Sequence, residues 1–168
     1  MKQPEEITIN TLNFDDDGQI PNNPYLPVLV YQNVFLATDD LRHILSTNQW
    51  GNTWEGGVFS YHHYHSNSHE VLLVINGTAQ LILGGKNGTL INITESDALI
   101  LPAGTGHKLV SQSNDFTVMG AYPHSQSYDI CVGKVSERPQ NLYNIENVSI
   151  PNTDPIFGSH GPLKKRWN

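Results

Sequence analysis

Between Phe59 and Tyr122 the chain is a series of short apolar runs separated by turn residues, spaced too closely for helices. Residues 71–75 (VLLVI), the dipeptide Asn76-Gly77 and residues 78–83 (TAQLIL) read as a hairpin, because Asn-Gly supplies the positive φ angles of a type I′ turn. Gly84-Gly85-Lys86-Asn87-Gly88 turns again and residues 90–93 run on. Residues 98–101 lead to a turn at Pro102, His107 opens a further strand, and residues 116–122 close the set. Many short antiparallel strands with apolar residues on both faces predict a sandwich or barrel rather than a sheet open to water. In residues 71–75 one apolar face suits a barrel interior. The other needs cover from an N-terminal helix or a second subunit, which predicts a homodimer.

The flanking segments are less periodic. Residues 6–14 alternate loosely, as an edge strand does, and Asp15-Asp16-Asp17-Gly18 lacks the spacing of a calcium loop and reads as a solvated turn. Pro21-Asn22-Asn23-Pro24 and Pro27 impose extended or turn backbone before the apolar residues 28–31. Residues 39–48 form the one expected helix, capped by Thr38 or Asp39, with Leu41, Ile44 and Leu45 as its apolar stripe and His43 off it. Trp50-Gly51 closes that helix, and Trp54 is expected to serve packing. In residues 136–168, Arg138-Pro139, Ile150-Pro151, Asp154-Pro155 and Gly161-Pro162 mark turns. Ile145, Ile156, Phe157, Leu163 and Trp167 are too apolar for a disordered tail, so this segment is expected to wrap the barrel.

The chemistry concentrates in residues 57–77, GVFSYHHYHSNSHEVLLVING. His63 and His65 are two apart and leave the same face of an extended strand. Glu70 has the opposite parity, but Ser66-Asn67-Ser68 is turn chemistry that can swing it back onto the histidine face. The Gly-rich turn Pro102-Ala103-Gly104-Thr105-Gly106 delivers a further imidazole, His107. Neutral imidazoles and a carboxylate without thiolate suit one divalent transition metal: Fe, Mn, Ni, Co or Zn. Tyr61, which shares the parity of His63, leads the pocket-wall candidates, with Phe59, His69 and Tyr122 beside it. His62 and His69 could shuttle protons, although structural polar contacts are the favoured role for both.

Gly57, five residues, His63-Tyr64-His65, four residues, Glu70, six residues and Gly77 resemble the first motif of the cupin superfamily. Pro102-Ala103-Gly104, two residues and His107 resemble the second. Ser96 and Ser111 stand where that pattern has glycine and asparagine, and neither is a ligand. The whole chain is similar to a small bacterial cupin family, through Pro21-Asn22-Asn23-Pro24, residues 62–65, 69–72, 120–123 and 158–163. The resemblance implies an all-β cupin-type double-stranded β-helix, or jelly-roll barrel, with His63, His65, Glu70 and His107 pointing into its mouth. It implies oxygen-dependent oxidoreduction of the dioxygenase type, metal-assisted isomerisation or hydrolysis, or plain binding of a sugar or organic acid.

Composition narrows the setting. A chain of 168 residues suits a single domain spanning 1–168, and a net charge of −7 argues against nucleic acid or an anionic membrane as partner. Lys164-Lys165-Arg166 is too short an exception to change this. The opening Met1-Lys2-Gln3-Pro4-Glu5-Glu6 lacks the basic-then-apolar pattern of a secretory signal. Cys131 is the only cysteine and is expected to be a buried small hydrophobe, so a reducing, cytoplasmic setting is expected. No arginine lies near either motif, which disfavours phosphosugars. The expected partner is a small molecule.

Overall fold

The computed structural model describes residues 1–167, and nine strands and three short α-helices occur among them. The strands are β1 (Thr8–Leu12), β2 (Val28–Gln32), β3 (Trp50–Gly56), β4 (Glu70–Asn76), β5 (Thr78–Leu83), β6 (Thr89–Thr94), β7 (Ala98–Leu101), β8 (His107–Gln112) and β9 (Thr117–Pro123). The helices are α1 (Leu41–Thr47), α2 (Arg138–Asn147) and α3 (Leu163–Arg166). One antiparallel sheet has the order β1-β2-β7-β4-β9-β3 and the other β6-β5-β8. The two close on each other as a jelly-roll barrel.

Side-chain alternation sorts the large sheet into two faces. Val28 and Val30 of β2, Leu72 and Val74 of β4, Leu99 and Leu101 of β7 and Val118 of β9 point inward. There they pack against Leu81, Leu83 and Ile93 of the small sheet. The residues between them, including Leu29, Tyr31, Val71, Leu73, Ile100 and Ala121, face outward. They are covered by Leu45 of α1 and by Ile156, Leu163 and Trp167 of the C-terminal segment. The second face of β4 is therefore covered by its own chain, which removes that face as the reason for a dimer.

Four local expectations are corrected. Asn76-Gly77 is not a hairpin turn: β4 pairs with β7 and β9, β5 pairs with β6 and β8, and the dipeptide is the corner where the chain changes sheets. Gly77 takes a φ of 72°, and Asn76 stays out of the left-handed region that a type I′ turn also requires of it. Trp50 and Trp54 belong to β3, an edge strand on β9, because their burial there outweighs the turn signal of Gly51. Helix α1 is capped by Asp40, whose carboxylate accepts the His43 N–H at 3.1 Å, while Asp39 accepts Leu36 N–H at 2.8 Å and the terminal amine at 2.9 Å. Arg138-Pro139 opens helix α2 rather than a turn, since proline in a first helical turn lacks only an N–H that would have no helical partner.

A buried carboxylate clasps the C-terminal wrap to the sheet. Asp154 is fully buried and accepts hydrogen bonds from Tyr31 Oη at 2.7 Å and from the backbone N–H groups of Ile156, Phe157 and Leu163 at 2.9, 3.0 and 3.1 Å. Trp167 Nε1 donates to Pro27 O at 2.8 Å and Trp50 Nε1 to Thr153 O at 3.1 Å. Asp154→Ala leaves these donors unpaired in the outer core and is expected to cost about 3 kcal/mol in urea unfolding. An unchanged midpoint would refute the clasp.

Candidate metal centre

Residues 57–69 cross the barrel mouth as irregular extended chain, without a regular strand around His63 and His65. Two isolated bridges hold the crossing. His63 pairs with His107, by N–H···O contacts of 3.2 and 2.9 Å, and Tyr64 pairs with Cys131, by two of 2.9 Å. Parity still puts His63 and His65 on the inner side and the buried Tyr64 on the other, where its hydroxyl accepts from Asn141 Nδ2 at 2.9 Å. After Ser66-Asn67-Ser68 reverses the chain, Glu70 enters β4 on the same inward face as Leu72 and Val74.

His107 is delivered by a turn that is locked from a distance. Gly104 has a φ of 91°, and a Cβ there would approach Asn22 O to 2.5 Å. Asn22 Oδ1 accepts Gly106 N–H at 3.0 Å, Asn22 Nδ2 donates to Gly84 O at 3.1 Å, and Asn23 Nδ2 donates to Ala103 O at 3.0 Å. The Pro-Asn-Asn-Pro segment is thus a clamp on the His107 turn.

The histidines of the site share one orientation. Nδ1 of His63 faces Tyr61 O at 3.2 Å, Nδ1 of His107 faces Thr105 O at 3.1 Å, and Nδ1 of His65 faces Asp129 O. A carbonyl can only accept, so each Nδ1 carries the proton and each Nε2 turns its lone pair inward. Ligand nitrogens of the three rings lie within 4.8 Å of one another. Glu70 Oε2 stands 3.3 Å from His65 Nε2 and 3.4 Å from His107 Nε2. It is buried and makes no hydrogen bond of good geometry.

The other oxygen, Oε1, accepts from Tyr122 Oη at 2.6 Å, and Trp54 Nε1 donates to that hydroxyl at 2.8 Å. Gly120 permits this, because a Cβ there would meet the Trp54 ring at 2.2 Å. Burial would raise the Glu70 pKa, but the adjacent His65 imidazole above all, with His107 and the Tyr122 hydroxyl, holds it near 2. Burial depresses the His107 imidazole to about 3, helped by His63, and burial also lowers His63. His65 moves the other way: burial opposes its protonation, and the Glu70 carboxylate outweighs it. A carboxylate with one bare oxygen beside His65 and His107, together with a cluster of three imidazoles, fits a divalent transition metal.

The centre opens into a cavity of about 120 Å³, whose wall also includes Trp54, Val58, Phe59, Leu72 and Tyr128. Of the expected wall residues, Phe59 and Tyr122 line it. Tyr61 does not. It stacks on Phe59 with ring centroids 5.0 Å apart and meets the His63 ring at 5.8 Å. His69 is also corrected as a pocket residue: adjacent to Glu70, it points to the opposite face, accepts Ala103 N–H at 2.9 Å on Nδ1, and lies 4.8 Å from the Trp167 ring. Burial lowers its pKa to about 4, which keeps it neutral.

Trp54, Tyr128 and Asp129 were not anticipated at the site. Trp54 was assigned to packing, and residues 124–130 carry no periodic signal. Asp129 braces the mouth from both sides, its carboxylate accepting Ser66 N–H at 2.6 Å while its carbonyl holds His65. Ser96 adopts a φ of 75°, which explains why glycine suits that position, and Ser111 donates to Gln80 Oε1 at 3.0 Å, away from the site. Cys131 is buried, and burial pushes its thiol up to about 12.

A jelly-roll barrel with three histidines and a glutamate at its mouth defines the class as a cupin. The chain belongs to the family of the uncharacterized protein YjlB of Bacillus subtilis (strain 168), with 45% identity over 162 residues that span 96% of this chain and 98% of the relative. No protein-family model matches it. Among solved structures it is similar to a TDP-quinovose 3,4-ketoisomerase of Campylobacter jejuni, at 20% identity over 51% of this chain and 72% of that one, TM-score 0.42. It is also similar to procruciferin, an 11S globulin of Brassica napus, at 16% identity over 89% and 35%, TM-score 0.40. A deletion mutant of Bacillus subtilis oxalate decarboxylase gives 15% identity over 78% and 30%, TM-score 0.37. None of these partial likenesses carries a function to this chain.

Tyr122→Phe removes the hydroxyl that orients Glu70 and is expected to weaken divalent-metal affinity about 10- to 100-fold. Competition against a chromogenic chelator measures it. Affinity equal to that of the unaltered protein would refute the orienting role.

Proposed function

We propose that the chain binds one divalent transition metal through His63, His65, Glu70 and His107 and acts as an oxygen-dependent oxidoreductase of the dioxygenase type. The observation that carries the reading is the cluster of three imidazoles, two of which turn Nε2 to the bare Glu70 Oε2 at 3.3 and 3.4 Å, in a largely apolar and aromatic cavity. A redox-active ion such as Fe(II) supplies electron transfer to dioxygen in such a donor set, whereas Zn(II) supplies only Lewis acidity. The chain's part is to hold the donors in one orientation and to exclude water from the reacting atoms. Metal-assisted isomerisation or hydrolysis needs a positioned acid or base. Beyond the four ligands, the titratable groups in the wall are Tyr122, whose hydroxyl is committed to Glu70, and Tyr128. Non-catalytic sugar or organic-acid binding draws on hydrogen-bonding or cationic walls. Beyond the four ligands this lining has no cation, and its hydrogen-bonding side chains are the mutually paired Trp54 N–H and Tyr122 hydroxyl, and Tyr128.

Purified protein should carry close to one metal ion per chain, and His65→Ala should lose most of it. The Fe(II) form is expected to consume oxygen with a catechol, thiol or enediol in an oxygen electrode, and the Zn(II) form to consume none. Stoichiometric metal that survives each ligand substitution would sink the centre. Metal-dependent turnover without oxygen uptake would move the function to isomerase or hydrolase, and saturable binding without turnover to a binding module.

We also infer a cytoplasmic homodimer. Among the described residues no helix is long and apolar enough to cross a membrane, and the unpaired Cys131 suits a reducing compartment. The outer face of the three-stranded sheet replaces β4 as the contact surface, because Leu90, paired with Ile82, and Val110 stand about half exposed there. Light scattering at micromolar protein should give twice the chain mass, and Leu90→Glu should shift it toward the monomer. A monomer mass for the unaltered protein would refute the dimer.

A further inference from the structure

Granted the metal centre proposed above, we infer that its ligand is a flat molecule with two parts: a small oxygen-chelating head carrying no more than one negative charge, and an aromatic tail that leaves the barrel between Phe59 and Tyr128. Size sets the first part. At about 120 Å³ the cavity is smaller than the roughly 150 Å³ apolar cavity that takes one benzene, and the ion must share it. A head of roughly four or five heavy atoms fits, and the rest of the ligand must stand in the mouth.

Two rings are presented there. Phe59 and Tyr128 line the cavity and yet remain 44% and 36% exposed, so they stand where it meets solvent. Each is held in place by a second ring. Tyr61 stacks on Phe59 at 5.0 Å and 14°, and Tyr122 stacks on Tyr128 at 4.3 Å and 19°. The His63 and His65 rings meet them edge-on at 5.0 and 4.9 Å. Packed between a stacked ring and a histidine edge, Phe59 and Tyr128 are held in place while part of each stays exposed beside the exit. Stacking on such faces strengthens binding by roughly 2- to 12-fold beyond the area buried.

Charge sets the remaining limit. A divalent ion beside the Glu70 carboxylate leaves one net positive charge in the site, which a monoanionic chelator neutralises. A second negative charge would be buried among Trp54, Val58, Phe59 and Leu72 with no lysine or arginine in the wall to pair it.

The probes are acetohydroxamate and benzohydroxamate, which share one monoanionic chelating head and differ only in a methyl or phenyl tail, and malonate as a dianionic chelator. Titration calorimetry on the Zn(II)-loaded protein, corrected for each probe's affinity for aqueous zinc, reads binding without turnover. Benzohydroxamate should bind at least tenfold more tightly than acetohydroxamate, with malonate weakest. Phe59→Ala and Tyr128→Ala should each cut the phenyl advantage to below threefold while zinc content and circular dichroism stay unchanged. Equal affinity for the two hydroxamates, a phenyl advantage intact in both variants, or malonate binding as tightly as benzohydroxamate would overturn the inference while leaving the metal centre standing. Failure to retain zinc, or identical binding to the metal-free protein, would instead remove the metal centre, and this inference with it.

Discussion

One buried carboxylate constrains everything around the barrel mouth. Glu70 is 2% exposed and ionised, with one oxygen held by Tyr122 and the other without a hydrogen bond. An ionised group in such surroundings costs several kcal/mol unless opposite charge compensates it. Burial lowers His63 and His107 toward the neutral form, and of the three imidazoles it is His65 whose protonation the carboxylate favours. The arrangement is unfavourable for an empty cavity and favourable for a cation. A cation that bound there only in the folded chain would stabilise the fold.

The groups that hold this geometry come from distant parts of the chain. Asn22 and Asn23, before β2, fix the turn that carries His107. Asp129, after β9, holds His65 by its carbonyl and the Ser66 turn by its carboxylate. Gly120 in β9 makes room for Trp54 of β3, which in turn aims Tyr122 at Glu70. Most of these contacts are made by backbone or by side chains tied at both ends, so little conformational freedom remains to be lost when a ligand arrives.

The site was legible in the sequence where spacing and parity determine geometry. His63 and His65 lie on one side because they are two apart, and Ser66-Asn67-Ser68 does reverse the chain ahead of Glu70. Parity applied to His69 would have placed it opposite Glu70, as the structure does, and so excluded it from the pocket. Asn76-Gly77 misled because its local preference suits a hairpin, whereas the barrel needs a corner there between sheets. Helix α2 was missed because proline was read as a breaker when its place in the first turn makes it a starter. Tyr128 and Asp129 had no signal at all. They sit in an aperiodic segment, and only the closed barrel shows what that segment crosses.

Adjacent residues show how the fold separates stability from chemistry. Glu70 points inward to the centre, and His69, one residue earlier, points outward to Trp167 and the backbone of Ala103. The same division runs through the whole large sheet. On its outer face Trp50 and Tyr31 of the strands pack with Leu45 of α1 and Trp167 of the C-terminal wrap that Asp154 clasps, all four fully buried. A barrel with only its inter-sheet core would have to fill that space completely with side chains. Here the outer core adds buried apolar area on the far side of the same strands. The inner end can then keep a cavity, a bare carboxylate oxygen and two open rings, each of which costs stability in the empty protein and each of which a bound metal and its ligand would satisfy.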